Sequence, residues 1–354
     1  MKYCNLIIVF LLKVVVTFSQ TTGGNSAFSF SNLSNTPQLT ALGGINISNR
    51  TGDIGLAFNN PALLTEAMHT QGNLVFTTMY GGIRNYHLQF AYRAEKIKTN
   101  FAAGVNYFNY GSTDATDASG NILGAISPVD YVAQLSASRI YLSKWSYGAT
   151  LKFIRSNYGA WRAAAIAMDI GVTWYDSSVG VQSSLVIKNM GAQVQHYTGS
   201  ENEDLPFDIQ LGISKRLKNA PLQFSFTANR LHRFDITYDD TAFNSENGFN
   251  STSGKAFSFD NIFRHIILAA QIYVGDKVEL SAGYSYLRRK ELNIGSSGNG
   301  LNGFSAGVGV LFPKLQIRYG RTYYQSNRSY HQFGLNLKLR DYIKAGKVKS
   351  SIGY

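Results

Sequence analysis

The stretch that decides the fold is Leu205–Leu231, LPFDIQLGISKRLKNAPLQFSFTANRL. In its first half Phe207, Ile209, Leu211 and Ile213 alternate with Asp208, Gln210, Gly212 and Ser214. In its second half Leu222, Phe224, Phe226 and Ala228 alternate with Gln223, Ser225, Thr227 and Asn229. Successive side chains of a strand point to opposite faces, so each half is a strand with one apolar and one polar side. The join, Lys218-Asn219-Ala220-Pro221, is short, and its proline stands at a strand start, where a missing N–H is tolerated. A soluble sandwich shows Lys and Glu to water, yet this polar side is mostly Gly, Ser, Thr, Asn and Gln. That composition fits a wet interior with the apolar side turned to lipid.

The same alternation runs outward from this hairpin, from about Asn73 to Leu339, in about fourteen runs. Runs of roughly nine to eleven residues suit a tilted strand crossing a bilayer, and an even count returns both ends to one side. From the second connection onward, short joins (94–98, 141–144, 175–178, 218–220, 275–277 and the turn at Pro313) alternate with longer ones. The longest of these is 231–265. Bacterial outer-membrane barrels have tight periplasmic turns and long external loops. The first join, Gly81-Gly82, should be external and is short, so it departs from the pattern. Tyr107, Phe108, Tyr110, Tyr141, Trp145, Tyr147, Trp174, Tyr175, Tyr319, Tyr323 and Tyr324 gather at strand ends, as interfacial aromatic girdles do.

Composition agrees. Of the 354 residues, 15% are charged, against about 25% in ordinary soluble domains. The chain holds 22 Tyr, 22 Phe and 34 Gly, the vocabulary of strands and turns. After the first twenty residues there is no apolar run long enough for a spanning helix. A chain of this kind crosses a bilayer only as a closed sheet, since open edges cannot be satisfied in hydrocarbon. The expected fold is all-β, a transmembrane antiparallel barrel of about fourteen strands. The net charge of +12 suits anionic headgroups or an acidic partner, and no nucleic-acid-binding motif is present.

Four segments are expected. Residues 1–19 read as a signal peptide cut near Ser19–Gln20, with the lone Cys4 inside it, so disulfide and thiol chemistry are not expected of the mature chain. Residues 20–72 mix Gly, Asn and Pro with Phe28, Phe30, Leu42, Ile54, Leu56 and Phe58, too much apolar surface for a flexible leader. They are expected to fold against or inside the barrel as a hatch. Residues 73–339 form the barrel and 340–354 a tail.

Together GGNSAFSFSNL (23–33), TALGG (40–44), DIGLAFNNPALL (53–64) and LPFDIQLGISKRL (205–217) resemble the PorQ family of the type IX secretion system of Bacteroidetes, over essentially the whole mature chain. The Asn60-Pro61-Ala62-Leu63 piece is also similar to the wider FadL-like barrels, including PorV. The resemblance implies a fourteen-stranded FadL-like barrel in the outer membrane, with Gly43, Gly44, Asn59, Asn60 and Pro61 in a lumenal hatch. It also implies PorZ-like, PorU-like and PorV-like partners in a surface attachment complex, where the barrel holds a PorZ-like protein.

Among catalytic motifs, no serine stands three residues before a lysine, and no phosphate-binding glycine loop or His-Glu-x-x-His helix occurs. A non-enzyme without cofactor or metal is expected. His87 and His331 are expected to point into the lumen. The acidic groups Asp114/Asp117 and Glu201/Glu203/Asp204 read as solvated loops, since neither has calcium-loop spacing. Phe243, Phe249, Phe257 and Phe259 of the longest loop are candidate anchors for a surface partner, with refolding over the barrel mouth as the other reading. Arg288, Arg289 and Lys290 are candidate contacts to lipopolysaccharide phosphates. The competing function is a FadL-like transporter of hydrophobic compounds, which an apolar lumen or a side opening at a kinked strand would favour. The inward positions Gln89, Asn106, Gln134, Thr150, Lys152, Asp169, Gln182 and Gln210 are mostly polar and speak against an oily path. A soluble β-repeat scaffold is the third class.

Overall fold

The computed structural model describes residues 26–117, 119–236, 258–292, 300–325 and 328–341. The strands are β1 (Gln71–Thr78), β2 (Arg84–Ala94), β3 (Thr99–Asn109), β4 (Thr113–Thr116), β5 (Ile122–Ile126), β6 (Val129–Tyr141), β7 (Trp145–Tyr158) and β8 (Trp161–Asp176). They continue as β9 (Val181–Gln195), β10 (Asp208–Arg216), β11 (Leu222–Ala228), β12 (Ile266–Val274), β13 (Val278–Ser285), β14 (Phe304–Leu311), β15 (Leu315–Gln325) and β16 (Arg328–Lys338). Three short helices are α1 (Pro37–Ala41), α2 (Phe259–Arg264) and α3 (Tyr286–Leu292).

Fourteen strands close into one antiparallel barrel, with β1 pairing β16 at the seam, while β4 and β5 form a separate hairpin in the loop between β3 and β6. Closure satisfies every strand edge, which is the condition for standing in hydrocarbon. Inside the deciding hairpin Leu211 faces Ala228 and Ile213 faces Phe226 across the ladder. Asp208, Gln210, Ser214, Gln223, Ser225 and Thr227 are buried, while Leu211, Ile213, Phe224 and Phe226 are exposed. The inversion is general: Leu88, Leu135 and Leu151 are 59%, 64% and 57% exposed, whereas inward Gln89, Gln134 and Thr150 are at most 3% exposed. A continuous apolar belt round the wall far exceeds the patches that soluble monomers show to water. At the short-turn end Tyr141, Trp145 and Trp174 stand side by side across β6, β7 and β8, an interfacial placement.

Three expectations change. Phe108 is not part of the girdle: it is 1% exposed and its ring meets Phe30 of the hatch at 5.4 Å. His331 shares the parity of Phe333 and Leu335 and lies on the outer wall, where Tyr319 Oη and Ser329 Oγ each stand 2.7 Å from a ring nitrogen. His87 is lumenal as expected. Strands β6 to β9 run 13 to 16 residues, beyond what a bilayer needs. Their excess lies at the long-loop end, where β9 is bulged at two places against β8. In one bulge Asn189 takes φ 56°, placing Lys188 and Asn189 opposite the single residue Asp169. Pairing of β8 with β9 continues on both sides of each bulge, so the strand bends without leaving a gap in the wall.

Candidate functional site: the filled lumen

The hatch enters the lumen near the long-loop end and descends to β1, broken into short pieces by its own chemistry. Thr36 Oγ1 accepts from Gln38 N at 3.1 Å and Pro37 opens α1, a capped start with proline where no N–H is needed. Gly43 and Gly44, at φ 93° and 96°, end it in a conformation side chains resist. Asp53 Oδ1 caps the turn Ile54–Phe58 through Gly55 N at 2.9 Å, and Asn60 Oδ1 caps Pro61–Leu63 through Ala62 N at 2.9 Å. Nearly all of residues 34–49 are buried.

The wall is cut to receive this segment. A Cβ at Gly148 would stand 2.7 Å from the Pro61 carbonyl carbon, one at Gly320 2.5 Å from the Pro37 oxygen, and one at Gly334 2.9 Å from the Pro37 ring. These strand glycines, otherwise poor strand formers, allow backbone-close approach of the hatch.

Two buried charge nodes tie the hatch to the wall. In the short-turn half, Arg318 of β15 lies 3.4 Å from Asp53 of the hatch and 3.6 Å from Glu279 of β13. Gln38 of α1 donates to the same Glu279 at 2.9 Å, and Gln271 donates to it at 3.0 Å. Farther toward the long loops Lys152 Nζ lies 2.5 Å from Asp169 and donates to Asn189 Oδ1 at 2.9 Å, while Lys188 Nζ donates to hatch Asn59 Oδ1 at 2.9 Å. Buried charge persists only when paired and hydrogen-bonded, so the first node fixes Gln38 and Asp53 of the hatch and the second fixes Asn59. Asn60 adds bonds to Ile47 O at 2.8 Å and Thr173 Oγ1 at 3.3 Å, and Thr40 Oγ1 donates to Gln332 at 2.6 Å.

The lumen is not polar throughout. Near its long-loop end Val132, Ile154, Ala163, Ala165 and Ala167 of the wall form one buried apolar cluster with Phe28, Phe58 and Leu205, and Phe30 and Tyr197 pack against it. The eight polar positions named from sequence are buried and inward, as expected; the recess is a local apolar exception, formed by neighbours at the same parity. Val132 sits two residues before Gln134, and Ile154 two after Lys152, so strand parity alone reveals them. Above the recess Tyr110 and Tyr158 donate to Asp130 at 2.6 and 2.8 Å, and Tyr158 stacks on Tyr197 with centroids 5.9 Å apart. Burial first, and then the Asp130 carboxylate, push the Tyr110 hydroxyl above its usual range.

The candidate residues fall in separate places. Gly43, Gly44, Asn59, Asn60 and Pro61 come together in the hatch. Phe243, Phe249 and Phe257 lie outside the described residues, as does the 1–19 segment; Phe259 opens α2 and is 74% exposed. Arg288 turns inward, donating to Thr322 Oγ1 at 2.6 Å and Gly43 O at 2.8 Å. Arg289 donates to Gly300 O at 3.0 Å, and Lys290 lies 3.6 Å from Asp260. The basic run is thus engaged within the protein, binding α3 to the hatch and to α2. Asp117 accepts from Ser119 N and Asn121 N at 2.9 and 2.8 Å and shapes the β4–β5 turn. A cleft of about 390 Å³ opens at the short-turn mouth among Glu66, His69, Arg93, Glu95, Lys338 and Arg340. Among the described residues no group of three His, Cys, Asp or Glu is placed to hold a metal.

No family profile and no curated sequence matches the chain. Among solved structures it is similar to the CymD monoaromatic hydrocarbon channel, at 15% identity and a TM-score of 0.50, over 88% of this chain and 97% of that one. A Pseudomonas aeruginosa FadL homologue aligns at 12% identity and a TM-score of 0.49, over 85% of this chain and 97% of that one. A TodX monoaromatic hydrocarbon channel variant aligns at 15% and 0.48, over 86% and 98%. The fold of this chain is therefore a closed barrel of fourteen antiparallel strands round an N-terminal hatch, similar in fold to the CymD channel.

Proposed function

We propose that this protein is an outer-membrane barrel that takes up small hydrophobic compounds at the long-loop end of its lumen, with the hatch holding the path shut. The observation carrying this reading is the apolar recess of Val132, Ile154 and Ala165, filled by Phe28 and Phe58 of the chain's own hatch. A recess that prefers aromatic rings to water accepts a ligand of the same kind once those rings move aside. The shared fold with a chain described as a monoaromatic hydrocarbon channel agrees with it. The test is equilibrium binding of a fluorescent hydrophobic probe to the detergent-purified barrel, with Ile154→Gln as the variant. Saturable binding that Ile154→Gln weakens supports the reading; no saturable binding overturns it.

A second reading keeps the PorQ-type role, a non-catalytic anchor that holds a PorZ-like partner beside PorU-like and PorV-like proteins at the cell surface. It is favoured by the hatch being fixed to buried charged groups of the wall, Asp53 to Arg318 and Asn59 to Lys188, which suits a permanent plug better than a moving gate. Affinity purification from detergent-solubilised outer membranes separates the two: co-purifying surface proteins with no probe binding leave the anchor standing.

A further inference from the structure

Across six adjoining strands, β6, β3, β2, β1, β16 and β15, the outward residues Tyr131, Tyr107, Tyr86, Phe76, Phe333 and Tyr319 occupy one continuous register row. One outward step nearer the long loops, the row on the last four of these strands reads Arg84, Thr78, His331, Arg321. Above Arg321 stand Tyr323, whose ring lies 5.5 Å under the guanidinium, and Ser329. The His331 ring is held by Tyr319 and Ser329 hydroxyls at 2.7 Å each, a fixed polar plate at the top of the apolar belt.

Charge is lopsided here. Residues 67–94 and 292–340 contain no Asp or Glu, so β1, β2, β14, β15 and β16 are entirely without acid. Neither Arg84 nor Arg321 has a carboxylate partner among the described residues, and both are exposed. Adjacent strands are about 4.8 Å apart, so three strand spacings set these two arginines roughly 14 Å apart along the wall. Arginines at that level face the outer leaflet's headgroups, and guanidinium is the side chain best shaped for phosphate oxygens.

We propose that this row binds the phosphorylated headgroup of an outer-leaflet glycolipid, with Arg84 and Arg321 each taking a phosphate and His331 and Ser329 lying between them. Acyl chains then run down over the aromatic row beneath. The inference rests on the outer-membrane reading above and concerns the outside of the wall, not the lumen.

The test uses the full barrel, purified in detergent and delipidated, then mixed with bisphosphorylated lipid A, with the same lipid stripped of phosphate, or with phosphatidylglycerol. Native mass spectrometry counts retained lipid. Bisphosphorylated lipid A should be retained most, and R84Q/R321Q should weaken that retention about 30-fold, as expected for two basic residues at an anionic surface. K277Q/K314Q, at the short-turn end, should leave it unchanged. Equal retention of phosphate-free lipid or of phosphatidylglycerol, or an unweakened R84Q/R321Q barrel, overturns the proposal. The wild-type comparison of lipids holds even if the variant does not fold. Fractionation of the native protein away from outer membranes would instead overturn the location on which both readings depend.

Discussion

Replacing Gly320 by alanine should lift the hatch while leaving the barrel closed. The added methyl would stand 2.5 Å from Pro37 O and 3.1 Å from two further Pro37 backbone atoms, where ordinary contact begins near 3.4 Å. The shortfall, 3.4 − 2.5 = 0.9 Å, falls on the backbone of α1 and cannot be absorbed by a rotamer change. Overpacking of this kind costs about 1–3 kcal/mol. The methyl faces the hatch, not the ladder, so the cost should appear in the seating of α1. Ser34, 3% exposed beside Thr40, is the reporter. With Ser34→Cys introduced, maleimide labelling in the folded barrel measures how often the hatch opens. A shift of 1–3 kcal/mol raises the rate about 5- to 150-fold. Gly300→Ala, with nothing within 4 Å of the new methyl, is the control. Unchanged labelling in a Gly320→Ala barrel that still shows heat-modifiable migration would refute the reasoning that the wall glycines exist to seat the hatch.

Other outcomes follow from the same geometry. Lys152→Met strands the buried Asp169 carboxylate and should cost about 3–5 kcal/mol, read as a lower unfolding temperature; Lys152→Met with Asp169→Leu should recover part of it. Phe28→Ala empties part of the apolar recess and should cost about 3–5 kcal/mol if the cavity stays open, while raising capture of a hydrophobic probe. At the long-loop end burial raises the Asp260 carboxyl, but hydrogen bonds from Tyr286 and Arg264 and the charges of Arg264 and Lys290 outweigh it and hold it below its ordinary 3.8. A carboxylate depressed on folding stabilises above its unfolded pKa and loses that contribution as pH falls through its folded value. The α2–α3 contact should therefore hold at pH 5 and above and loosen under acid below about pH 4. Protease sensitivity near residue 264 should report it, and Asp260→Asn should abolish the dependence.

The barrel was legible because strand parity is a rigid geometric rule. Once Leu211 and Phe224 turn outward, Gln210 and Gln223 turn inward without further information. The hatch was legible in outline from the apolar content of Phe28, Phe30, Leu42, Ile54, Leu56 and Phe58. The same rule, applied without regard to polarity, places His331 beside Phe333 on the outer wall and Ile154 beside Lys152 in the lumen; choosing faces by hydrophilicity missed both. Other features carried too little local signal. The β4–β5 hairpin is four and five residues long, and the bulge at Asn189 depends on a partner strand. The inward turn of Arg288 depends on its bond to the Gly43 carbonyl, 245 residues earlier, a pairing no local pattern encodes.

The seating of α1 against β14, β15 and β16 bears on biogenesis. Pro37 is synthesised early and Gly320 and Gly334 late, yet the two are in contact. A folded kernel of this size, held by contacts on every side, is not expected to thread into a cylinder already sewn shut. The final stitch between the first and last strands has to be made around it, so the N-terminal part serves as the mandrel on which the sheet is rolled.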